Sequence, residues 1–282
     1  MLWMKLITVG DNVVDCYLEE KQYYPGGNAV NVAVNAKRSG TEQVSYIGIF
    51  GNDNKAHHIK NCLQQEKIDF SRSRNVYAPS AQPSVTLDKD GDRMFIPGPK
   101  NSSQHLFKLK LTTEDLEFIS GFDVCHTSCY SSLEDELSKI AENCQISFDF
   151  SENTNINYIK KIAPYINYAF FSGSHLLDKE IKSLQTICHD CGTEIVGITL
   201  GSRGATFSRN HQHYRQTIKK VNVIDTMGAG DSFIAGFLTS YTKKKDIQQA
   251  LDFAAERAAV TCTQRGAFGY PHPVEEELLS IR

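Results

Sequence analysis

Residues 225–237 read Asp225-Thr226-Met227-Gly228-Ala229-Gly230-Asp231-Ser232-Phe233-Ile234-Ala235-Gly236-Phe237. Two glycines around a small residue allow a sharp turn and a close approach of the backbone to a ligand. The apolar spacing that follows predicts a helix beginning at about Gly230, so its first N–H groups lack partners and point into the Gly-Ala-Gly turn. Unpaired donors and the positive end of the helix dipole both favour a phosphate. The segment therefore predicts an anion site at a helix start.

Asp231 stands in the first turn of that predicted helix. A carboxylate in this position is usually a helix cap that the dipole favours. Beside a bound phosphate it would repel the anion unless it faced an attacking hydroxyl, whose proton it could accept. Phosphoryl transfer needs an in-line nucleophile, a base, and donors or a metal that spread the charge on the transferring oxygens. Both interpretations of Asp231, cap and general base, stay open at this point.

A second glycine-rich segment reads Tyr24-Pro25-Gly26-Gly27-Asn28-Ala29-Val30-Asn31-Val32-Ala33. It predicts a helix opened by paired glycines, with Asn28 and Asn31 on one face of its first turn. Amide side chains donate and accept hydrogen bonds, so this face suits a polyol. Asp11 and Asp15 follow the first apolar strand at its carboxyl end, where open α/β sheets bind ligands. We expect these two acids either to bind hydroxyl groups or to be solvated turn residues.

A third segment, Thr199-Leu200-Gly201-Ser202-Arg203-Gly204-Ala205, follows an apolar strand predicted at residues 195–200. It supplies another glycine turn at the end of a strand, a place suited to a nucleotide. Glycine turns are common, so this segment carries little weight alone.

Strand-like and helix-like segments alternate along most of the chain, which predicts a mostly parallel sheet covered by helices on both faces. The predicted strands include residues 6–9, 44–49, 122–127, 146–150 and 168–171, and the predicted helices include residues 28–37, 56–66, 156–162, 178–191 and 247–264. Residues 16–24 and 84–95 break this alternation because they are extended, and Asp90-Gly91 in the second is a hairpin signal. We expect them to form a small antiparallel sheet beside the main one.

The 282 residues carry 30 Lys plus Arg and 33 Asp plus Glu, a net charge of −3. This balance lacks the basic excess of a protein whose main task is to bind nucleic acid. No run approaches the roughly 18 consecutive apolar residues of a membrane helix, and residues 1–10 lack a signal-peptide cleavage site. We therefore expect a cytoplasmic protein with no nucleic-acid or membrane partner. Its eight cysteines are scattered, so packed thiols are expected rather than a zinc or redox centre.

Together, the three glycine-rich segments resemble the ribokinase/PfkB family of carbohydrate kinases, in the same order along essentially the whole chain. The Asp-Thr-x-Gly-Ala-Gly-Asp run resembles the family's C-terminal signature, the Gly26-Gly27-Asn28 helix its N-terminal signature, and residues 199–204 its nucleotide loop. The resemblance implies a single ribokinase-like kinase domain over residues 1–282. This domain would be a three-layer α/β/α fold with a mostly parallel central sheet, and a small β-sheet lid inserted near 16–24 and 84–95.

The resemblance also implies roles for the candidate residues. Asp231 would be the catalytic base, and the anion hole would consist of Gly228, Ala229 and Gly230. The implied sugar-pocket residues are Asp15, Gly27, Asn28 and Asn31. ATP and Mg²⁺ would bind over Thr199, Gly201, Ser202, Arg203 and Gly204 and over the segment that begins at Thr226. Arg93, on the lid hairpin, is a candidate for closing over the substrate or a solvated hairpin residue.

Within the family, four segments are most similar to the fructosamine kinases, which phosphorylate the 6-hydroxyl of a fructosyl amine such as fructoselysine. These segments are residues 10–15, 26–34, 148–151 and 223–237. A fructosamine nitrogen is protonated, and Asp11 would add a second carboxylate beside Asp15 in the sugar pocket. An unpaired pocket acid costs several kcal/mol, which a cationic substrate would offset. We therefore expect Asp11→Ala to harm phosphorylation of fructosamines more than that of neutral ketoses.

One departure from the family concerns the metal. Many relatives carry Asn-x-x-Glu after a strand, associated with magnesium and phosphate, but the corresponding place here reads Ser172-Gly173-Ser174-His175. The metal ligands therefore stay unassigned. The family's monovalent-cation loop, around Asp225 and Arg265-Gly266, is only partly recognisable, which leaves K⁺ as an optional cofactor.

Several alternatives stay open. The substrate could be fructose, ribose or a nucleoside, and the chain could be a degenerate, non-catalytic sugar-binding relative. A dinucleotide-dependent dehydrogenase and a P-loop enzyme are disfavoured because residues 10–15 lack G-x-G-x-x-G and G-x-x-x-x-G-K-[ST] is absent from the sequence. Exposed sheet edges invite pairing, so a homodimer through the lid is a further expectation.

Overall fold

The computed structural model describes residues 4–87, 93–210 and 212–274, with the backbone alone at residues 87 and 93–95. The strands, numbered along the chain, are β1 (Lys5–Val9), β2 (Val13–Tyr17), β3 (Gln22–Gly26), β4 (Gln43–Ile47), β5 (Ile49–Phe50), β6 (Arg74–Asn75), β7 (Ser84–Leu87), β8 (Arg93–Ile96), β9 (Val124–Ser128), β10 (Gln145–Asp149), β11 (Tyr168–Ser172), β12 (Ile195–Thr199), β13 (Ala205–Arg209), β14 (Gln212–Gln216) and β15 (His272–Pro273). The helices are α1 (Asn28–Arg38), α2 (Asn54–Gln65), α3 (Ser103–Leu106), α4 (Thr113–Ile119), α5 (Leu137–Ala141), α6 (Ile156–Ile162), α7 (Asp178–Asp190), α8 (Ala229–Lys244) and α9 (Ile247–Thr261).

The large sheet has eight strands in the order β14-β13-β12-β11-β10-β9-β1-β4. Neighbours from β4 to β12 pair in parallel, whereas β13 and β14 pair antiparallel at one edge. Parallel strands need crossover connections, and helices supply them here. This topology confirms the predicted mostly parallel sheet covered by helices.

Both faces of the large sheet are buried, and β11 illustrates why. Successive side chains of a strand point to opposite faces. A hydrophobic core therefore lies on each face of the sheet. On one face Phe170 packs against Phe237 of α8, with 5.9 Å between ring centroids. On the other face Phe171 stacks on Phe150, with 4.6 Å between ring centroids. Apolar residues at every position of such a strand are buried, which is why the parallel strands are continuous apolar runs.

The parallel strands place their carboxyl ends along one edge of the sheet. Asp11 follows β1, Ser128 ends β9, Asp149 ends β10 and Thr199 ends β12. Polar groups from distant parts of the sequence therefore meet at this edge, as is usual for ligand sites in open α/β sheets. Helices α1 and α8 also begin at this edge. Their first turns are in contact, since Asn28 and Asn31 of α1 donate hydrogen bonds to Asp231 of α8.

A separate small sheet has the strand order β15-β3-β2-β7-β8. Strand β2 pairs antiparallel with β3 and parallel with β7, and β7 and β8 form a hairpin. The extended segments predicted at 16–24 and 84–95 contribute to this sheet, but the expectation of a purely antiparallel sheet is wrong, because β2 and β7 are parallel. Strand β2 begins at Val13, before the predicted segment, and β15 was not predicted. The predicted Asp90-Gly91 turn lies outside the described residues.

The predicted elements differ from the structure mainly at short segments. The strand predicted at 44–49 is two strands, β4 and β5, since Gly48 separates them into different sheets. The short helices α3, α4 and α5 were not predicted, because helices of one or two turns carry too little periodicity to recognise. Among the helices of the described ranges, none has the length and apolar character to cross a membrane.

Candidate active site

The start of α8 presents unpaired backbone donors. Gly228 precedes the helix with φ 69° and ψ 6°, a left-handed conformation that favours glycine. The N–H of Ala229 donates to the Thr226 carbonyl at 3.2 Å. In the described ranges, the N–H groups of Gly230 and Asp231 have no acceptor. A helix of 16 residues thus begins with two adjacent free donors at its positive end.

The Asp231 side chain does not cap its own helix but reaches the first turn of α1. Its Oδ1 accepts a hydrogen bond from Asn28 Nδ2 at 2.8 Å, and its Oδ2 accepts one from Asn31 Nδ2 at 2.7 Å. The carboxylate is therefore held on both oxygens by two amides, while the residue stays partly exposed. Three of the residues predicted from separate motifs, Asp231, Asn28 and Asn31, meet in one place. The predicted amide face of α1 is already occupied by this carboxylate.

Asp149 is a site residue that the sequence analysis did not select. Its Oδ2 accepts from Asn28 Nδ2 at 2.9 Å, and its Oδ1 accepts from the Ser151 N–H at 2.8 Å. Asn28 therefore bridges Asp149 and Asp231 with the two hydrogens of one amide group. A signal was available, because Asp149 is an acid near the carboxyl end of the strand predicted at 146–150, and Asp11 likewise lies at the carboxyl end of the first strand.

Asp11 caps helix α1 from outside the helix. Its Oδ2 accepts from the Asn28 N–H at 2.7 Å and its Oδ1 from the Ala29 N–H at 3.3 Å, with the Ser131 hydroxyl 3.2 Å from Oδ1. Gly27, the N-cap residue, has no side chain to do this, and its φ of 101° is again a glycine conformation. The predicted unpaired pocket acid is therefore a paired one. A carboxylate at a helix start stabilises that helix.

Asp15, in β2, has a buried carboxylate that accepts no hydrogen bond and makes no ion pair within the described residues. Only 5% of the residue is exposed. A methyl group at Gly26 would lie 2.2 Å from Asp15 Oδ2, so the absence of a side chain at Gly26 makes room for it. A buried carboxylate without a partner is costly unless it is protonated or a ligand supplies donors.

Burial and mutual repulsion raise the pKa of the clustered carboxyls. Burial raises the pKa of Asp15 to about 7, with the charge of Asp231 as the next cause, and the same two causes raise that of Asp149 to about 7. Burial also raises the pKa of Asp231 to about 6, against the lowering effect of its amide donors. A base with a pKa near the working pH is well matched to general-base catalysis.

These pKa values predict that Asp15→Asn stabilises the protein at alkaline pH. An acid with a pKa near 3.8 when unfolded and about 7 when folded favours the folded state while it is protonated, and this contribution is lost as pH rises from about 4 through 7. We expect the variant to have a free energy of unfolding roughly 1–3 kcal/mol higher than the wild type at pH 8. The difference should shrink towards pH 4. Denaturant unfolding at both pH values measures it, and a gain equal to that of Glu19→Gln, at an exposed acid, would contradict it.

The loop after β12 joins the same edge of the sheet, but its arginine faces away from the acids. Gly201 and Ser202 are exposed in a 3-10 turn, and the Nη2 of Arg203 donates to the carbonyl of Ser174 at 2.9 Å and of Leu176 at 3.2 Å. Arg203 also lines a cavity of about 470 Å³ against α7, which contains none of the clustered acids. Arg203 therefore holds residues 173–176, the segment that follows β11.

Three further positions named in the sequence analysis are Thr226, Asp225 and Arg93. Thr226 is exposed directly before the α8 turn. Asp225 is fully buried and accepts hydrogen bonds from the Tyr17 hydroxyl at 2.6 Å and from the N–H groups of Met227 at 2.6 Å and Gly266 at 3.0 Å. It thereby links the small sheet to the turn before α8. The backbone of Arg93 lies in β8, and its side chain lies outside the described part of the chain.

Comparisons with known proteins place this geometry among sugar kinases. Residues 4–273 match the sequence pattern of the pfkB family carbohydrate kinases. Fructosamine kinase FrlD of Bacillus subtilis (strain 168) is 47% identical over 274 residues, which cover 97% of this chain and 96% of that protein. Fructoselysine 6-kinase of Escherichia coli (strain K12) is 33% identical over 265 residues, 93% of this chain and 99% of that one. The structure of Arabidopsis thaliana ribokinase complexed with ribose and ATP superimposes with a TM-score of 0.80 at 19% identity over 95% of each chain, a likeness of fold.

Proposed function

The chain belongs to the pfkB family of carbohydrate kinases, and from this premise we propose that it transfers the γ-phosphoryl group of ATP to the 6-hydroxyl of fructoselysine or a related fructosamine. It is an ATP-dependent carbohydrate kinase. One observation carries the proposal. Two free N–H groups at the start of α8 lie beside the Asp231 carboxylate, so an anion site and a base are next to each other.

The proposed roles follow from what each group can donate or accept. The N–H groups of Gly230 and Asp231, with the turn at Gly228 and Ala229, hold the oxygens of the transferring phosphoryl group as their charge develops. Asp231 accepts the proton of the attacking hydroxyl, and Asn28 and Asn31 hold its carboxylate in place. Phosphoryl transfer depends mainly on such positioning and on charge stabilisation.

The nucleotide is proposed to lie over the loop after β12 and the segment before α8. Gly201, Ser202 and Thr226 are exposed there. Thr199, at the end of β12, and Gly204, directly before β13, are partly exposed. Val223 and Ile224, 61% and 52% exposed, precede the α8 turn and offer an apolar surface for the adenine ring. Contiguous exposed apolar surface with polar residues around it commonly marks a binding site.

Magnesium would be held mainly by the phosphates of the nucleotide. In the described ranges, no group of three or more His, Cys, Asp or Glu is arranged to bind a metal, and residues 172–175 contain no carboxylate. Mg²⁺ does not require such a group, because it keeps several waters and commonly binds through substrate phosphates and one or two carboxylates. When bound, the ion would neutralise charge on the transferring group.

A monovalent cation such as K⁺ would have to bind near Asp225 and Gly266. A bound K⁺ needs oxygen acceptors, whereas the Asp225 carboxylate faces three donors, Tyr17 and the N–H groups of Met227 and Gly266. As placed, these residues do not fit the ion. We derive no step of the reaction through it.

The charge of the pocket supports a cationic substrate. Asp11, Asp15, Asp149 and Asp231 cluster at the sheet edge, and in the described ranges no lysine or arginine forms an ion pair with any of them. A protonated amine on the sugar would offset the burial and the mutual repulsion that raise the pKa values of Asp15, Asp149 and Asp231. Because the hydrogen bonds of Asp11 are taken by α1, we propose that Asp15 pairs with this amine.

A substrate comparison tests the proposed pairing and the proposed function together. We expect the wild type to have a kcat/KM for fructoselysine at least about tenfold above that for fructose, in an assay of ADP release, since a charged hydrogen bond is worth about 1.5–3 kcal/mol. Asp15→Asn should narrow this ratio, whereas Asp11→Asn should lower both values together by disturbing the start of α1. Equal ratios in the wild type and in Asp15→Asn would contradict the pairing. A preference for ribose or a nucleoside would contradict the proposed substrate.

We also propose a cytoplasmic enzyme that pairs through the edge of the small sheet. All eight cysteines are free thiols in the structure, which fits a reducing compartment. The outer edge of β8 pairs with no described strand, and Ile96 there is 48% exposed. An unpaired edge with an exposed apolar residue favours pairing with a second chain.

A further inference from the structure

His126 lies in β9, directly beneath the site, and has no part in the proposed transfer. It is completely buried. Its Nε2 is 3.0 Å from Asn28 Oδ1. Its Nδ1 is 2.9 Å from the hydroxyl oxygen of Ser147, the residue opposite it in the adjacent strand β10. Each ring nitrogen therefore has one hydrogen-bond partner.

The directions of these hydrogen bonds follow from Asn28. Both hydrogens of its amide nitrogen face carboxylates, those of Asp149 and Asp231, so its Oδ1 can only accept. Nε2 of His126 must then carry the proton. With Nε2 protonated in a neutral ring, Nδ1 accepts, and the Ser147 hydroxyl donates to it. Burial lowers the pKa of His126 to about 3, which agrees with a neutral ring.

We propose that His126 is a positioning residue, which holds Asn28 in the one amide orientation that places its two N–H bonds on Asp149 and Asp231. This inference rests on the proposed function, because it assigns the bridged Asp231 to proton acceptance. His126 touches none of the reacting atoms and acts only through Asn28.

The need for such a residue follows from burial. Asn28 is 7% exposed, so without the Nε2–H its carbonyl oxygen would be a buried acceptor with no donor. Such a group costs free energy, and the amide would turn or shift to recover a partner. Either movement withdraws an N–H bond from Asp231. The base would then lose one of its two fixed hydrogen bonds and its defined orientation.

Two substitutions of His126 by amide side chains of different length, glutamine and asparagine, test this inference. Glutamine places its amide nitrogen as many bonds from the backbone as the Nε2 of histidine, so His126→Gln can still donate to Asn28. Asparagine ends one bond earlier, at the level of Nδ1, so His126→Asn can reach Ser147 but not Asn28. We expect His126→Asn to lower kcat by about 10- to 100-fold with KM for ATP changed less than about threefold, and His126→Gln to keep kcat within about threefold of the wild type.

A merely structural role predicts a different pattern. In that case, both polar variants would lose activity in proportion to their melting temperatures, and the loss would be the same in an Asp231→Asn background. Action through Asn28 predicts instead that His126→Asn has little further effect on kcat once Asp231 is replaced. Equal activities of the two variants, or the same loss in both backgrounds, would overturn the inference. A wild type that phosphorylates no sugar would instead be a failure of the proposed function.

Discussion

Asp231→Asn is expected to keep the fold and to lower kcat by roughly 10²- to 10⁴-fold, the scale of a lost general base. Asparagine has the shape of aspartate but cannot take up the proton of the attacking hydroxyl. One of its two contacts, to Asn28 or Asn31, becomes a donor facing a donor, since both partners present amide hydrogens. The loss of one charge from the acid cluster works in the opposite direction. Stability should therefore change little. Steady-state ADP release and thermal unfolding measure the two effects.

A matched control for this variant separates the role of a base from that of a negative charge at a helix start. Asp178 is an exposed acid in the first turn of α7, and its replacement by asparagine changes the same kind of helix-start charge. We expect Asp178→Asn to have the kcat of the wild type. If Asp231→Asn lowered kcat no more than Asp178→Asn does, Asp231 would contribute only a negative charge at a helix start, and the proposed mechanism would be wrong.

Gly228→Ala is expected to destabilise the protein by about 2–4 kcal/mol and to reduce activity further than this loss of stability explains. The left-handed backbone at φ 69° disfavours any side chain, and a methyl group would lie 2.3 Å from Cβ of Ala267. The turn must therefore move, and with it the directions of the N–H groups that follow. Thermal unfolding and the KM for ATP measure the two consequences.

Gly230→Ala is the corresponding control, because it adds the same methyl group to the same turn. No atom lies within 4 Å of the position that its Cβ would take, and φ there is not positive. Alanine is a better helix former than glycine, by up to about 1 kcal/mol, so stability should stay equal or rise. A Gly228→Ala protein as stable as Gly230→Ala would show that the turn does not need its left-handed conformation.

Much of the fold could be predicted because its pattern is local. Alternating apolar runs and helical periodicity predicted the parallel sheet, and paired glycines predicted the starts of α1 and α8. The short helices and β15 could not be predicted, because they are held by contacts with distant residues rather than by their own periodicity. His272 of β15, for example, stacks on Tyr23 of β3.

The candidate site shows the same division between local and distant information. Asp231, Asn28 and Asn31 were found because each stands in a recognisable motif. The hydrogen bonds that join them cross about 200 residues of sequence, and no local pattern predicts which amide meets which acid. For the same reason, Asp11 was expected to be an unpaired pocket acid, although it caps α1. His126 could not be selected, since a histidine in an apolar strand is usually a core residue.

The central claim is that residues at the start of α8 direct the phosphoryl group of ATP onto the primary hydroxyl of a fructosamine. Its most direct test is the structure of the product formed by the wild-type enzyme from ATP and fructoselysine, determined by phosphorus and carbon NMR. We expect one product, phosphorylated at the 6-oxygen, with one ADP formed per product. ADP formed without any sugar phosphate, or a phosphate on another oxygen, would contradict it.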